Sequence, residues 1–268
     1  MKQTAVIIVA AGRSERFSGQ ASPLAHSVLK KKPFALLKGR AVWLHSAQKF
    51  ANRNDVCQLI LVVSPEDRDE VERKYAADLG FLGVTLADGG RERADSVANG
   101  LACVNAAAEY VAVHDAARPC VTDSELEKVF REAYRTDAAI LATPLVGTIK
   151  RAVVADNTTP SHTQKENPFA ALFEEKNNYP SIETTIDRNN LWEAQTPQVF
   201  KRSLLEQAYA NRKNTHPTDD SQLVEWLGHP VSLVQGEKTN LKITTAADLK
   251  LAEKFLDSAS KKPSPFHF

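Results

Sequence analysis

The stretch Ala5-Val6-Ile7-Ile8-Val9-Ala10-Ala11-Gly12-Arg13-Ser14-Glu15-Arg16 restricts the fold more than any other part of the chain. An apolar run passes without a break into small residues and a glycine, and two arginines follow. A half-buried strand alternates apolar and polar residues, so an unbroken run predicts a strand covered on both faces, as in a parallel sheet. Small residues at its end let the backbone approach a ligand, and arginines placed there can hold phosphate. The stretch fits neither G-x-x-x-x-G-K-[ST] nor G-x-G-x-x-G, because Ser14 stands where a second glycine would fall.

The 268 residues suffice for several strands with helices on both faces. Apolar runs at Ala5 to Ala10, Leu59 to Val63, Val84 to Ala87, Tyr110 to His114 and Ala138 to Thr143 predict strands. Amphipathic stretches at Ala41 to Ala51, Glu66 to Leu79, Arg93 to Ala107 and Asp123 to Arg135 predict the helices between them, and Ser64-Pro65-Glu66 and Thr122-Asp123 carry helix-start signals. The alternation predicts βαβ units, hence an α/β fold around a mostly parallel, twisted sheet whose ligands bind beyond the carboxyl ends of the strands. Further on, Lys201 to Arg212, Ser221 to Leu227 and Thr245 to Leu256 read as helices and Val231 to Gln235 as a strand.

Between about Val146 and Arg188 the pattern becomes polar and irregular, as in a functional excursion or an insertion. Its β-like ends, Thr148 to Arg151 and Thr184 to Arg188, could pair as an arm. A single domain over 1–257 with this arm inside it is expected, and a frayed tail over 258–268. The net charge of +1 gives no nucleic-acid footprint, and no apolar run is long enough for a membrane span. Cys57, Cys103 and Cys120 lack metal-binding or redox spacing and read as inert thiols in a reducing compartment. Met1-Lys2-Gln3 leads straight into the first strand, which leaves no room for a targeting segment, and a cytoplasmic protein is expected.

Five constellations can carry chemistry. The opening loop, continuing through Lys30-Lys31-Lys32-Pro33, can neutralise a triphosphate, or be a solvated basic loop. Gly89-Gly90-Arg91-Glu92-Arg93 lies between a strand and a helix, where it forms an anion-favouring turn or a plain connection. Asp115, in His114-Asp115-Ala116-Ala117-Arg118-Pro119, is placed to hold Mg²⁺ against phosphates, with Arg118 facing a substrate anion; a turn cap paired with Arg118 is the plainer reading. Lys242, read on a short strand in Asn240-Leu241-Lys242-Ile243-Thr244, can reach the same phosphates or solvent. Asp187-Arg188 followed by Gln195-Thr196-Pro197-Gln198 reads as a fixed turn with exposed polar groups.

Taken together and in order, these motifs, with Gly89-Gly90…Arg93…Ser96-Val97 and Thr218-Asp219-Asp220, resemble the 2-C-methyl-D-erythritol 4-phosphate cytidylyltransferases of non-mevalonate isoprenoid biosynthesis. The resemblance spans almost the whole chain. It implies a Rossmann-like sheet, CTP and a polyol phosphate as substrates, Mg²⁺, and a homodimer built through the extended β-arm. By the same resemblance Arg16, Lys32 and Lys242 are catalytic. Ala11, Gly12, Gly90, Arg93, Ser96 and Ala116 cradle the nucleotide. Asp115, Arg118, Thr148, Arg188, Thr218 and Lys242 surround the methylerythritol phosphate, with Asp115 also the metal carboxylate and Thr148 and Arg188 serving the neighbouring subunit's site.

Four features depart from the family pattern: Ser14, Arg91, a longer stretch between Arg16 and Lys32 that leaves the lysine register open among Lys30, Lys31 and Lys32, and a longer arm from Ala152 to Ile186. Ribitol 5-phosphate cytidylyltransferases share most of these motifs, and a non-catalytic nucleotide-binding dimer would keep the fold. A nicotinamide dehydrogenase does not fit, because Val63-Ser64-Pro65 stands where an acidic residue would be needed.

Overall fold

In a computed structural model of the protein, residues 2–12, 31–153, 179–212 and 215–260 are described. They fall into two compact units, one of Met1–Thr143 with Ala194–Phe268 and one of Pro144–Glu193.

The first unit is built on β1 (Thr4–Val9), which lies between β4 (Val56–Val63) and β6 (Tyr110–Asp115), parallel to both. β5 (Val84–Asp88) adds to the far side of β4, again parallel. On the other side of β6 come β10 (Trp192–Lys201), antiparallel to it, then β7 (Ala138–Pro144) and β11 (Ser232–Gln235). A small hairpin pairs β2 (Leu36–Leu37) with β3 (Arg40–Ala41).

The apolar run at the start of the chain is unbroken because both faces of β1 are covered. Val6 and Ile8 face a core formed with α1 (Val42–Ala51), α2 (Arg68–Leu82) and α4 (Asp123–Thr136), through Trp43, Phe50, Tyr75 and Phe130. Ala5 and Ile7 face the opposite core, formed with α3 (Arg93–Ala102), α5 (Arg202–Ala210) and α6 (Asp220–Trp226). Ile7 and Ile8 are fully buried, each contributing about 1.5–3 kcal/mol. A third cluster joins α7 (Ala246–Ser260) to Val42, Ala117 and Ile243.

The α/β class and the order of strands and helices agree with the sequence reading, and three details differ. Gln195-Thr196-Pro197-Gln198 is part of β10 rather than a turn, and Gln195, Thr196 and Gln198 are buried. The helix from Arg93 ends at Ala102, where the Cys103 N–H bonds back to Gly100 and Leu101. Lys242 lies in no strand; its segment is fastened by the Ile243 N–H, which donates to the Ala117 carbonyl at 2.8 Å.

Among the described residues of the second unit, two strands form a hairpin. β8 (Ile149–Val153) pairs antiparallel with β9 (Ser181–Ile186), with Ile149 opposite Ile186 and an irregularity after Arg151. At its base the Leu145 N–H donates to the Leu191 carbonyl at 3.0 Å, and the Arg188 guanidinium donates to the Val146 carbonyl.

Candidate active site

In sheet order β1, β4 and β5 step outward on one side, and β6 falls on the other side of β1. Chain connections leave the sheet in opposite directions at such a point and open a crevice beyond the strand ends. A cleft of about 410 Å³ lies there. Its walls are Val9 to Gly12 after β1, Lys32 and Pro33 from a 3-10 turn, Gly90 to Arg93 and Ser96 at the start of α3, Asp115 and Ala117 after β6, and Lys242 with Thr244.

The loops after β1 and β5 approach so closely that only glycine fits. A Cβ on Gly89 would stand 2.4 Å from the Ala11 Cβ, and one on Gly90 would stand 2.2 Å from the Asp95 Cβ. The Gly90 N–H donates to the Ser96 hydroxyl at 3.0 Å, which itself donates to the Glu92 carbonyl at 3.1 Å. Glu92 and Asp95 close a capping box on α3.

Asp115 is the electrostatic centre. Lys242 Nζ stands 2.7 Å from its Oδ2, Arg93 Nε 3.4 Å from its Oδ1, and Arg118 Nε 3.9 Å from its Oδ2. Burial alone would raise its pKa, but Arg93, Lys242 and Arg118 together hold the carboxyl well below the usual range. Its backbone N–H donates to Thr196 Oγ1 at 3.0 Å, and that hydroxyl also contacts His114 Nδ1 at 3.1 Å. Burial pushes the fully enclosed His114 down to about 4, so it is neutral. Arg93 is shared: its Nη1 lies 2.9 Å from Oδ2 of Asp220, whose side chain is only 1% exposed. Lys32, Arg91, Arg93 and Lys242 border the cleft against Glu92 and Asp115, an excess of positive charge suited to a polyphosphate.

A larger hollow, about 660 Å³, opens at the other end of the sheet between Asn54, Phe130 and Tyr134. Its Arg53 is paired with Asp55 at 2.7 Å and its Lys49 with Asp123 at 3.2 Å, and none of the clustered basic residues of the cleft borders it.

The sequence profile of the 2-C-methyl-D-erythritol 4-phosphate cytidylyltransferases matches residues 4–172 and 170–258. The chain belongs to this family. The enzyme of that name from Rhodopirellula baltica is 38% identical over 263 residues, covering 94% of each chain. The chloroplastic enzyme from Oryza sativa subsp. japonica is 32% identical, covering 96% of this chain and 75% of its own. The crystal structure of the Thermus thermophilus cytidylyltransferase superposes with a TM-score of 0.67 at 28% identity, over 96% of this chain and 100% of that one. The 4-diphosphocytidyl-2C-methyl-D-erythritol synthase structure from Anaerococcus prevotii gives 0.70 at 25%, over 96% of each.

In this cytidylyltransferase chain, Ala11, Gly12, Lys32, Gly90, Arg93, Ser96, Asp115 and Lys242 border one cleft. Lys31 does not: its ammonium lies between Ser64, Glu66 at 2.8 Å and Asp67 at 2.7 Å, so of Lys31 and Lys32 only Lys32 borders the cleft. Arg16 and Lys30 lie outside the described residues. Ala116 is fully buried, its N–H donating to the Val9 carbonyl at 3.1 Å. Arg118 is also buried, and its Nη1 donates to the Asn240 carbonyl at 2.7 Å. Thr218 is tied to Gln222, its N–H donating to Oε1 at 2.9 Å. Thr148 and Arg188 belong to the second unit.

The supporting polar groups escape a reading for chemistry, although the motifs contain them. Gln198 Oε1 accepts the Asp220 and Ser221 N–H groups at 3.1 and 3.0 Å. Asn240 Nδ2 donates to the Thr196 carbonyl at 3.0 Å, and Gln195 Nε2 donates to the Glu237 carbonyl at 3.1 Å. The one signal available is polar side chains next to a proline in an otherwise apolar neighbourhood, which a turn produces equally well.

Proposed function

We propose that the chain transfers a cytidylyl group from CTP to 2-C-methyl-D-erythritol 4-phosphate, giving 4-diphosphocytidyl-2-C-methyl-D-erythritol and pyrophosphate. The observation that carries this reading is the meeting of Lys242, Arg93 and Asp115 beside Lys32 in a basic cleft at the sheet's switch point. The acceptor's phosphate oxygen is already an anion at neutral pH, so no general base is required. It attacks the α-phosphorus of CTP, a new P–O–P link forms, and the bond to the β-phosphate oxygen breaks with pyrophosphate leaving. The protein's work is to hold two anions together and to offset the charge that builds on the α-phosphoryl group. Lys32 and Lys242, which border the cleft, are assigned this role, and Arg16 is assigned it by family resemblance. The backbone at Ala11, Gly12 and Gly90, with Arg93 and Ser96, holds the nucleotide.

Among the described residues no group of three His, Cys, Asp or Glu side chains converges. Of the two carboxylates that border the cleft, Glu92 is engaged in the capping box of α3 and with His216, and Asp115 lies next to Lys242. That donor set fits Mg²⁺, which takes one or two carboxylates and completes its shell with phosphate oxygens and water. Asp115 would hold the ion. When bound, the ion supplies charge neutralisation across the triphosphate.

The arm is assigned to homodimerisation, with Thr148 and Arg188 completing the partner's acceptor site. In support, an isolated two-stranded hairpin is marginal in water, and this one exposes Val153 at 48% and Ile182 at 65%. No helix of the described residues is long and apolar enough to cross a membrane, and a cytoplasmic enzyme is proposed.

A coupled pyrophosphate assay tests the reading. CTP should support release in the presence of methylerythritol phosphate, with UTP and ATP far weaker. Equal or better turnover with ribitol 5-phosphate would reassign the acceptor, and no release with either would leave a binding protein.

A further inference from the structure

Arg93 is held from two sides. Its Nε faces Asp115 at 3.4 Å, and its Nη1 faces Asp220 at 2.9 Å. The two carboxylates differ in company. Asp115 also has Lys242 at 2.7 Å and Arg118 at 3.9 Å. Asp220 is completely buried, and its Oδ1 accepts from the neutral Tyr209 hydroxyl at 2.6 Å. A carboxylate so enclosed needs a cation, because an unpaired buried charge costs several kcal/mol. Asp220 therefore binds Arg93 obligatorily, whereas Asp115 shares it. The backbone of Asp220 is fixed as well, by its N–H to Gln198 Oε1 at 3.1 Å.

Resting on the nucleotide-binding reading of this cleft, we infer that Asp220 is a positioning residue for CTP binding: it holds the Arg93 guanidinium back from Asp115. Arg93 then faces the nucleotide, and the Asp115 carboxylate keeps a side open for Lys242 and for the cation it would hold. Without the Asp220 charge, the whole attraction on Arg93 comes from Asp115. The guanidinium closes on that carboxylate and withdraws both groups from the ligand.

Calorimetric titration of CTP with Mg²⁺, without acceptor, tests this independently of turnover. Asp220→Asn is expected to weaken CTP binding about tenfold and to raise the CTP KM similarly, with kcat at saturation within about threefold of wild type. Arg93→Ala should weaken binding too, and Asp220→Asn should add nothing in that background. Arg93→Ala should also lower the melting temperature, and the double variant should recover part of that loss, because the buried charge is gone. The inference is overturned if Asp220→Asn weakens CTP binding by the same factor with and without Arg93, or leaves it unchanged. Should Asp220→Asn not fold, Arg93→Lys decides: a single ammonium cannot face both carboxylates as the guanidinium does, so CTP binding weakened severalfold supports the role and wild-type affinity refutes it. A wild-type protein that binds CTP but releases no pyrophosphate would overturn the proposed function, and these binding measurements would still decide the role of Asp220.

Discussion

The carboxyl end of β6 and the hairpin of β8 and β9 use strand structure in opposite ways. β6 is buried at every position and ends in a carboxylate ringed by Lys242, Arg93 and Arg118. β8 and β9 are exposed along almost their whole length and form a two-stranded sheet with each other. At β6 the charges are fixed by packing beneath them, so their arrangement exists before a ligand arrives. In the hairpin the ladder sets register, with Lys150 reaching Thr185 at 2.6 Å, while the faces stay uncovered. The first arrangement suits electrostatic stabilisation of a reaction, and the second suits contact with another chain.

The largest effect is expected at the rigid end. Lys242→Ala should lower kcat a hundredfold or more, about 2.7–4 kcal/mol, with the fold and oligomeric state retained. Near-normal turnover would break the contrast, because the ammonium at Asp115 would then be a structural neighbour only.

A pH effect of about 3 kcal/mol should come from the same end and spare the hairpin. Folded protein keeps His114 neutral down to about 4, whereas the unfolded chain protonates it near 6.5. Between those values the unfolded state binds more protons, so stability falls as the pH drops from about 6.5 to about 4. Urea melts across that window should show the slope, and His114→Gln should flatten it. An unchanged slope in the variant would assign it to other groups.

Arg188→Ala is expected to raise the KM for the polyol phosphate about tenfold and that for CTP much less. Equal changes for both substrates would remove the distinct role given to the arm. The smallest effect on folding should come from Ile182→Glu. It should shift the protein toward monomer in sedimentation while moving the melting temperature of the first unit little, since Ile182 is exposed within its own chain. A monomeric wild type would end the comparison outright.

Much of this is legible in the sequence where burial is two-sided. β1, β4 and β6 announce themselves as apolar runs because helices cover both faces. The charged and glycine motifs at Gly90, Arg93 and Asp115 likewise point to strand ends, where with Lys242 they border one cleft. β10 is hidden because its middle carries Gln195, Thr196, Pro197 and Gln198, which a turn also favours. Their side chains are instead spent on backbone groups of other loops, an assignment no local pattern contains. Lys31 and Lys32 are adjacent and chemically identical, so only acceptors supplied by the distant Ser64 to Asp67 separate them. The segment of Lys242 resembles an edge strand in composition but takes its place from the buried Ile243, from Asn240 on Thr196 and from two further bonds, to Ala117 and Arg118.

Those two bonds also set a timetable. The Asn240 to Ile243 segment docks onto a loop that the ribosome has released long before, since chains emerge from the N-terminus at about 5–20 residues per second. A half-made polypeptide therefore carries Asp115 and Arg93 without the ammonium that sits between carboxylate and solvent. The cleft acquires the Lys242 charge only after that segment has docked, so its charge pattern is completed by a late tertiary contact rather than by the strands that frame it.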